Sequence, residues 1–532
     1  MLKLSKKMKL FLFLISYIFA CTLVLSDKIM INGEFIESFA TEFSFDLGFW
    51  GLSFLVSIPI LISLTLVINC IVNLKFKKSK IVWNDKKIFW ISLIGIFLSS
   101  LLFLLTYYPG SNMNDTLYIL HNPVYYSFQY PLIYNLIVSG IYKLFLLITS
   151  SMNFAFFMVG LIQIIFMSII ISYVILWFHR EFKRNYFTIL LMIYFIFLPI
   201  INNYNGALLR DPIYAALLML MIPFLYTIIK SKGKYLKDDK NIIKLIILFT
   251  CLSFSRNNGI FVIGLLLLVM LFMYRKFTKK IIMIAFGFLV LAITPEVIVS
   301  DYEVEQLFQE KVAIPMQQIV YTMKYDKLNG KNDEKFMNNL VRKGVIIDYY
   351  CPFNMDCIKW GGAFKNFEFN DMKREFFSIW ISNLPTHFIS YVKAYLLQTY
   401  HLWAIESISD QQSTFFGLDN RDKQVYYYFN KLEDYNVFPN KIQRLLEKYY
   451  EYFTTYFNAG TCFWIMIFIC VIFIIKRQNK YILLSLGSLF SWITLMIACP
   501  LAEAFRYVVF FAYILPILLF IALLVPMKDK VS

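Results

Sequence analysis

The stretch LFLFLISYIFACTLVL, residues 10–25, contains no charged side chain. A second apolar run, WIMIFICVIFII, covers residues 464–475 near the other end of the chain. A helix crosses the hydrocarbon core of a bilayer with roughly 17 to 25 apolar residues, because it satisfies its own backbone hydrogen bonds. Both stretches therefore predict membrane-spanning helices.

The composition of the whole chain agrees with a membrane protein. Of its 532 residues, 59% are hydrophobic and 16% are charged, whereas charged residues make up about 25% of a soluble globular chain. The net charge of +17 would suit a nucleic-acid partner. The basic residues fall in short clusters between apolar runs, however, so we interpret them as a signal of membrane topology and expect no nucleic-acid partner.

Apolar length combined with the positive-inside rule predicts an all-α polytopic protein with about twelve transmembrane helices. Their approximate positions are 9–26, 48–74, 88–107, 153–178, 186–202, 211–229, 242–256, 258–274, 281–299, 459–475, 481–498 and 508–525. With this assignment the basic clusters HREFKR, KSKGKYLKDDK and RKFTKK share one side with both termini. We therefore expect both termini in the cytoplasm and the short, nearly charge-free loops outside it.

The segment PLIYNLIVSGIYKLFLLITSS at 131–151 is apolar enough to form a further span. Counting it as a span would move two basic clusters to the outer side of the membrane. We therefore predict a re-entrant or interfacial helix pair in the first large outer loop, broken near Ser139-Gly140.

The chain divides into four predicted parts. Residues 1–87 form a two-helix amino-terminal extension, whose first helix stays uncleaved because no convincing signal-peptidase site follows it. Residues 88–299 form the transmembrane core, and residues 300–458 form a hydrophilic extracytoplasmic domain of mixed structure. The end of this domain, RLLEKYYEYFTTYF, has aromatic residues on one side and charges on the other, which indicates an interfacial helix. Residues 459–532 form three carboxy-terminal transmembrane helices.

Two of the eight cysteines lie in the large hydrophilic region, in the sequence Cys351-PFNMD-Cys357. The compartment outside the cytoplasm permits oxidation, so this spacing predicts a short disulfide loop. A metal site is the alternative, although no histidine cluster accompanies the two thiols.

The first outer loop, from Tyr107 to Pro131, contains a single acid, Asp115. A carboxylate at this hydrophobic boundary suits a general base or a metal ligand. The alternative is that Asp115 caps the helix that follows it, because aspartate accepts hydrogen bonds from the free amides at a helix start. The sequence leaves both interpretations open.

Two further outer loops carry charges in otherwise nearly charge-free surroundings. Arg210 and Asp211 lie in a short loop between two spans, where Asp211 could also act as a helix cap. Arg256 and Asn257 lie at the turn of the hairpin 242–274. An arginine at membrane depth needs a partner such as phosphate, unless its side chain extends to the outer surface.

The last outer loop, CPLAEAFRYVVF, contains Glu503 and Arg506 three residues apart, a spacing that also suits a simple ion pair on one helix face. Because the outer loops face the same side, their acids and arginines predict one polar site at a membrane surface. An anionic substrate with a divalent metal ion, Mg or Mn, would suit these groups, with Asp115 and Asp211 as metal ligands. The sequence contains no Ser-His-Asp signature, phosphate-binding glycine loop or histidine cluster that would indicate another chemistry.

The motifs of these loops occur in a recognisable order. They are Tyr108-Pro-Gly-Ser-x-x-x-Asp115 with Gln129-Tyr130-Pro131, then Arg210-Asp211, Ser255-Arg256-Asn257-Asn258-Gly259, and Glu503-x-x-Arg506-Tyr507. This order resembles the bacterial GT-C-type membrane glycosyltransferases, in particular a branch related to protein O-mannosyltransferases and aminoarabinose-type lipid transferases. The resemblance covers most of the chain from about residue 88 onward.

The resemblance implies an enzyme of the bacterial cytoplasmic membrane with an extracytoplasmic active site. It would transfer a hexosyl or pentosyl group, with inversion, from a polyprenyl-phosphate donor to a cell-envelope glycan, lipid or protein. Asp115 would be the catalytic base or a metal ligand, Arg256 and Arg506 would hold the donor phosphate, and residues 300–458 would recognise the acceptor. The substrate-binding residues that match the motifs are Arg210, Asp211, Arg256, Asn257, Glu503, Arg506 and Tyr507.

Two features depart from the family pattern. Gln129 and Tyr130 precede Pro131, where relatives often carry a histidine, so the role of that histidine is absent here or belongs to His121. Residues 1–87 also place two helices ahead of the one that leads to Asp115.

Two other functions stay open at this point. A polysaccharide polymerase also combines about a dozen spans with a large outer loop and arginines. A lipid-linked glycan flippase or transporter is the alternative from another class, although transporters usually consist of related halves and we find no internal repeat in this chain.

Overall fold

The computed structural model describes residues 5–74, 76–79, 83–128, 130–298, 311–365, 368–405, 416–418, 423–454, 457–498 and 504–528. Within these ranges the chain is almost entirely helical. The strands there are β1 (Met30–Ile31) and β2 (Glu34–Phe35), which pair antiparallel. The prediction of an all-α polytopic fold is confirmed, whereas the described part of 300–458 is helical rather than mixed.

The helices before the first loop are α1 (Lys6–Ile29), α2 (Glu37–Thr41), α3 (Leu47–Asn73) and α4 (Asp85–Thr106). Those of the first loop and the transmembrane core are α5 (Asn114–His121), α6 (Leu132–Thr149), α7 (Met152–Phe182), α8 (Asn185–Phe197), α9 (Pro199–Gly206), α10 (Arg210–Lys230), α11 (Asp239–Ser255), α12 (Gly259–Met273) and α13 (Thr278–Ile298).

The hydrophilic region contains α14 (Ala313–Tyr325), α15 (Lys331–Asn338), α16 (Asp356–Trp360), α17 (Lys373–Asn383), α18 (Phe388–Gln398), α19 (Tyr400–Trp403), α20 (Lys423–Tyr428) and α21 (Asn440–Thr454). The last three helices are α22 (Ala459–Ile475), α23 (Leu483–Ala498) and α24 (Phe510–Leu524). Short 3-10 turns lie at Tyr125–Phe128, Lys234–Lys237, Arg275–Phe277, Ile346–Tyr349, Glu368–Asn370, Asn479–Ile482 and Phe505–Val508.

Within the described ranges, nine helices are long and apolar enough to cross a membrane. α8 and α9, which meet at a bend of 57°, would together make a tenth span. Each of the twelve predicted positions overlaps a helix. α23 and α24 reach the length of a span only together with the 3-10 turns before them, and α11, α12 and α22, with 17, 15 and 17 residues, are not among the nine. A multi-pass membrane protein is therefore supported, and the number twelve stays a prediction.

The basic clusters gather at one end of the helix bundle, which we call the basic end. Three ion pairs connect neighbouring helices there: Arg180 with Asp85, Lys230 with Glu181 and Lys280 with Asp239, at 2.8, 2.6 and 2.6 Å. These residues lie at the start of α4, the end of α7 and α10, and the starts of α11 and α13. The clustering along the sequence thus corresponds to a real grouping in space.

The opposite end of the bundle, which we call the loop end, is where α4 ends and α7 begins. The two helices run antiparallel, because Leu104 near the end of α4 packs on Gly160 near the start of α7. Trp83, just before α4, contacts His179 near the end of α7 through its carbonyl. The main core lies between the central helices and includes the fully buried Met219 and Tyr513.

α6 is one continuous helix of 18 residues, so the predicted break at Ser139-Gly140 is wrong. Ser139 is buried instead, and its hydroxyl donates a hydrogen bond to the carbonyl of Leu120 at 3.2 Å. α6 starts directly after Pro131, and two residues separate its end from α7, so its end also lies toward the loop end. Its length would allow it to cross a membrane, whereas this placement of its ends suits an interfacial helix.

The amino-terminal extension does not stand apart from the hydrophilic region. Residues 24–49 and 312–404 contribute to one hydrophobic core. Ser26 and Tyr400 share a hydroxyl hydrogen bond of 2.6 Å, and the carbonyl of Ala40 accepts hydrogen bonds of 3.1 Å from both Tyr321 and Lys393. The boundary predicted at residue 87 is thus not a boundary in packing.

The two cysteines of the hydrophilic region are joined. Cys351 and Cys357 form a disulfide with their Cα atoms 6.0 Å apart. The carbonyl of Cys351 also accepts a hydrogen bond from the side chain of Gln317 at 3.0 Å. The loop is thereby attached to α14.

Candidate functional site

The loop that follows α4, predicted to be the first outer loop, is held against the turn between α9 and α10. Ser111 pairs with Ala207 in a parallel bridge, and the amide of Leu208 donates to the carbonyl of Ser111 at 2.8 Å. The hydroxyl of Thr116 donates to the carbonyl of Leu208 at 2.5 Å. Because Thr116 follows Asp115 directly, these bonds bring the acid of the first loop beside the second loop.

Buried polar side chains of neighbouring helices form hydrogen bonds that fix the turn between α9 and α10. The amide of Gln163 on α7 donates to the carbonyls of Asn205 and Ala207, at 3.0 and 2.6 Å. Asn205 donates to the hydroxyl of Ser100 and accepts from Tyr513, at 3.0 and 2.8 Å. Satisfied buried polar networks hold their members in one arrangement, so the second loop is a firm support for the site.

Asp115 forms an ion pair with Arg506. A carboxylate oxygen of Asp115 lies 3.3 Å from Nη1 of Arg506. The Arg506 side chain is 9% exposed and that of Asp115 is 32% exposed, so the acid retains access to solvent or substrate. Asp115 does not act as a helix cap, because α5 begins one residue earlier, after Met113. The sequence hypothesis of a site acid is compatible with this position.

Asp211 forms a second ion pair, with Arg256, at 3.1 Å between Oδ1 and Nη1. Asp211 is 2% exposed and the Arg256 side chain 10% exposed, so this arginine does not extend to the surface. Asp211 is not the cap of α10 either, because Leu209 occupies the cap position. Both alternatives considered from the sequence for these two residues are therefore excluded.

Tyr507 connects the two ion pairs. Its carbonyl accepts a hydrogen bond of 3.0 Å from Nη1 of Arg256, and its hydroxyl accepts one of 2.9 Å from Nη2 of Arg506. The two arginines thus share Tyr507, which follows Arg506 directly but lies 251 positions from Arg256 in the chain. We call Asp115, Arg210, Asp211, Arg256 and Arg506 the charged cluster; its formal charge is +1.

Arg210 is the arginine of the cluster that has no carboxylate partner among the residues the structure describes. Its guanidinium lies over the ring of Tyr130, 4.1 Å from the ring centre, and its Nη1 atom is buried without a hydrogen bond. Burial, reinforced by the nearby Asp115 carboxylate, raises the pKa of Tyr130 well above its usual value, so the phenol stays protonated. Arg210 therefore offers an uncompensated positive charge.

A groove of about 730 Å³ extends from Arg210 and Arg256 along the bundle. Its polar head also contains Asn257, Asn258 and Thr494, and the Asn258 amide donates to the Thr494 hydroxyl at 2.7 Å. The remaining wall is apolar and is formed by Ile260, Phe261, Gly264, Leu265, Leu268, Leu289, Ile493, Leu495, Ile497 and Ala498 from α12, α13 and α23. The groove thus combines a cationic head with a hydrocarbon-like wall.

Three sequence-predicted positions give a different outcome. Glu503 and Gln129 lie outside the described residues, so their placement stays a prediction. His121 lies at the end of α5, and its ring stacks on that of Tyr428 with the ring centres 3.6 Å apart. His121 lies six residues after Asp115, at the opposite end of α5, and its ring packs against that of Tyr428.

Several residues of the site had no recognisable signal in the sequence. Tyr130 belongs to a sequence motif, but the motif does not indicate that its ring packs against Arg210. Gln163 lies within the long apolar helix α7, and Thr494 lies within α23. A lone polar residue inside a transmembrane run was the one available indication, and it does not reveal the partner.

The predicted metal ligands are occupied by other partners. Asp115 and Asp211 are each paired with an arginine. No group of three or more histidine, cysteine or acidic side chains suited to a metal occurs within the described ranges. The divalent ion therefore stays a prediction.

Residues 118–530 match a family described as a family of unknown function, DUF6020. The chain belongs to the DUF6020 family. Comparison with curated proteins gives no match, and neither does comparison with solved structures. The DUF6020 match covers Arg210, Asp211, Arg256 and Arg506, and it begins at Tyr118, three residues after Asp115.

Proposed function

We propose that this protein is a membrane glycosyltransferase that transfers a sugar from a polyprenyl-phosphate donor to an extracytoplasmic cell-envelope acceptor. The observation that carries the proposal is the groove that has Arg210 and Arg256 at its head and apolar side chains along its length. A lipid-linked phosphate has the same two-part chemistry. The charged cluster supplies, in addition, an acid beside the groove head.

The apolar wall suits the lipid tail of the donor. Phe261 and Ile497 are each 68% exposed, and Leu268 is 52% exposed, although all three line the groove. Within a bilayer, an isoprenoid chain can lie against such side chains without leaving the hydrocarbon phase. The groove therefore gives a lateral route by which a lipid-linked donor would enter.

The groove head suits the phosphate of the donor. A guanidinium presents paired N–H donors that match the geometry of phosphate oxygens. Arg210 has no competing carboxylate within the described ranges, and Arg256 is already positioned by Asp211. We therefore assign phosphate binding to Arg210 and Arg256. Arg506, the other arginine implied by the resemblance, is assigned the role of positioning Asp115.

In the proposed reaction, Asp115 takes the proton of an acceptor hydroxyl, and the acceptor oxygen forms a bond to the anomeric carbon. The bond between that carbon and the phosphate oxygen breaks, and the electron pair leaves with the polyprenyl phosphate. Attack opposite the leaving group inverts the anomeric configuration. Arg210 and Arg256 stabilise the negative charge that develops on the departing phosphate.

The positive-inside rule places the basic end in the cytoplasm. Arg180, Lys230 and Lys280 lie at that end, whereas the charged cluster lies at the loop end. We therefore propose an extracytoplasmic site in the bacterial cytoplasmic membrane. The helices of the hydrophilic region would present the glycan, lipid or protein acceptor.

The test compares cell-envelope glycans by mass spectrometry in cells that carry no copy of the gene, the wild type or the Asp115→Asn variant. We expect the variant to be expressed normally and to lack the same glycan feature as the null strain. Asp239→Asn is the matched control, because Asp239 pairs with Lys280 at the basic end at 2.6 Å, away from the groove head and the hydrophilic region. Full activity of Asp115→Asn would overturn the assignment of the base.

A second assay separates transfer from transport. Purified protein in proteoliposomes is given undecaprenyl-phosphate hexoses together with a cell-envelope extract, and the donor is followed by mass spectrometry. A transferase consumes the donor and releases undecaprenyl phosphate. Movement of intact donor across the bilayer without consumption would show a flippase instead.

A further inference from the structure

α21 lies across the loop end of the transmembrane helices. The side chain of Gln443 donates to the carbonyl of Thr106, the last residue of α4, at 2.6 Å. The hydroxyl of Tyr449 donates to the carbonyl of Phe197, the last residue of α8, also at 2.6 Å. The final carbonyls of a helix have no partner within it. α21 therefore satisfies one such group at the loop end of α4 and another at the bend between α8 and α9.

One face of α21 is packed against the bundle. Gln443 is 3% exposed and Tyr450 is 1% exposed, and the ring of Tyr450 meets that of Phe103 edge-on with the centres 5.0 Å apart. Glu447 lies on the same face and accepts a hydrogen bond from Gln443 at 2.8 Å. This face is fully accounted for by contacts within the protein.

A second face of α21 is apolar and exposed. Ile442, Leu445 and Tyr452 are 49%, 70% and 61% exposed. With 100° of rotation per residue, these positions fall on one side of the helix, turned away from Gln443. Large apolar side chains grouped on a surface in this way indicate a contact outside the chain.

A third face of α21 is basic and borders the apolar one. Lys441, Arg444 and Lys448 fall within roughly a quarter of the helix circumference by the same rotation. None of the three forms an ion pair with another described residue. Glu451 is the acid on this face.

We infer that α21 is a binding surface for anionic lipid headgroups. The apolar stripe Ile442, Leu445 and Tyr452 would enter the acyl-chain boundary, while Lys441, Arg444 and Lys448 contact the negative headgroups. An apolar stripe beside a basic stripe is the pattern of a helix that lies in the bilayer surface. The hydrogen bond to Thr106, at the loop end of the spanning helix α4, places α21 at that surface.

This inference does not depend on the proposed transferase activity. The lipid partner is favoured over a second protein copy by the net positive charge of the basic face, which carries three basic side chains and one acid. Two copies of α21 would bring their basic stripes together, and like charges repel. An anionic bilayer surface, in contrast, attracts each basic side chain.

The first experiment places a benzophenone-bearing photoreactive residue at position 445 of the full-length protein in nanodiscs or, as a control, at the exposed position 335 of the hydrophilic region. The nanodiscs contain phosphatidylcholine mixed with phosphatidylglycerol. We expect phospholipid adducts from position 445 and few from position 335, which lies outside α21. Protein–protein adducts from position 445, or the absence of lipid adducts there, would overturn the inference.

The second experiment tests the preference for negative charge. The protein is purified from the same mixed lipids, and retained lipids are measured by native mass spectrometry. The triple variant Lys441→Gln, Arg444→Gln, Lys448→Gln should lower the retained ratio of phosphatidylglycerol to phosphatidylcholine, by about fivefold for each basic side chain removed. An unchanged ratio would contradict headgroup binding by α21.

The matched control removes the same charge elsewhere. Lys331, Lys335 and Lys343 are exposed lysines of the hydrophilic region and lie outside α21. Their triple replacement by glutamine should leave the lipid ratio unchanged. An equal loss in this control would show that net charge alone, rather than α21, sets the preference.

Discussion

The guanidinium of Arg506 lies 3.3 Å from the carboxylate of Asp115, although 391 positions separate the two residues in the chain. Arg506 uses its second terminal nitrogen to bind the hydroxyl of Tyr507 at 2.9 Å. One terminal nitrogen of Arg506 therefore contacts the acid, and the other fixes the arginine to Tyr507. This arrangement assigns a positioning role to Arg506 within the proposed mechanism.

The substitution Arg506→Lys tests that role. A lysine keeps the positive charge but has a single ammonium group, which cannot contact both partners in the same geometry. We expect kcat for sugar transfer to fall by roughly 10- to 100-fold, because a small displacement of a catalytic group has effects of this size. The donor KM should change less, since Arg506 does not line the groove.

Arg180→Lys is the matched control for this prediction. Arg180 pairs with Asp85 at the basic end, where both side chains are well exposed. Initial transfer rates of the control should equal those of the wild type. A wild-type kcat in Arg506→Lys would show that transfer does not need two separate guanidinium nitrogens at this position.

We predict that the contributions of Asp211 and Arg256 to the free energy of unfolding depend strongly on each other. Asp211→Asn removes the charge that faces a nearly buried guanidinium, and loss of one partner in such a pair costs about 3 to 5 kcal/mol. Arg256→Gln should be similarly destabilising. The free energy of unfolding should fall less in the double variant than the sum of the two single losses, because the double variant leaves no buried charge without a partner.

Thermal or denaturant unfolding in detergent would measure this double-mutant cycle. The exposed pair Lys280–Asp239 is the reference, with side chains 36% and 73% exposed. Exposed pairs contribute roughly 0 to 1 kcal/mol. Additive losses at Asp211 and Arg256 would mean that the two residues do not stabilise each other.

Arg210 is predicted to matter for the donor more than for the fold. It has no carboxylate partner among the described residues, so Arg210→Gln should change stability by only about 1 kcal/mol, through loss of the contact with Tyr130. Retention of undecaprenyl phosphate should fall about tenfold or more, since a hydrogen bond to a charged group contributes roughly 1.5 to 3 kcal/mol.

Native mass spectrometry of protein titrated with undecaprenyl phosphate would measure this effect. Arg342→Gln serves as the control, because Arg342 pairs with Glu368 at the surface of the hydrophilic region. Undiminished lipid retention in Arg210→Gln would remove Arg210 from the phosphate site while leaving the role of Asp115 open to its own test.

The buried His401 predicts a loss of stability in acid. Burial lowers the pKa of His401 to about 3, because the imidazolium loses its hydration there. In the unfolded chain the pKa is about 6.5. Between these values the unfolded state binds more protons, so the free energy of unfolding decreases as the pH falls below about 6.5.

The expected contribution of His401 at pH 5 is a loss of roughly 2 kcal/mol relative to pH 7. Unfolding temperatures measured from pH 7 to pH 5 should therefore fall less steeply in His401→Phe than in the wild type. His387→Gln, which alters a histidine bonded to Asp326, is the control. Parallel pH profiles for His401→Phe and the wild type would contradict the prediction.

The amino-acid sequence by itself determined the local features of this protein. Runs such as 10–25 and 464–475 form helices because a helix satisfies its own backbone groups, whichever neighbours it has. The basic clusters gather at one end because each follows or precedes a span by a few residues. Cys351 and Cys357 meet because only six positions separate them.

Only the tertiary structure decided which charges meet. Asp115 and Arg506 come from opposite ends of the transmembrane region, and no periodicity indicates that they pair or that Tyr507 joins them to Arg256. The groove likewise needs α12, α13 and α23 side by side. Such contacts depend on how helices pack, and packing is set by side chains distant in sequence.

The continuity of α6 and the packing of the amino-terminal segment have the same origin. The sequence Ser139-Gly140 suggested a break, but burial of Ser139 against Leu120 accommodates the small residues within one helix. Residues 24–49 looked like an independent extension until their side chains met those of 312–404 in one core. Helix formation follows from nearby residues, whereas the burial of each helix face depends on partners that the linear sequence does not identify.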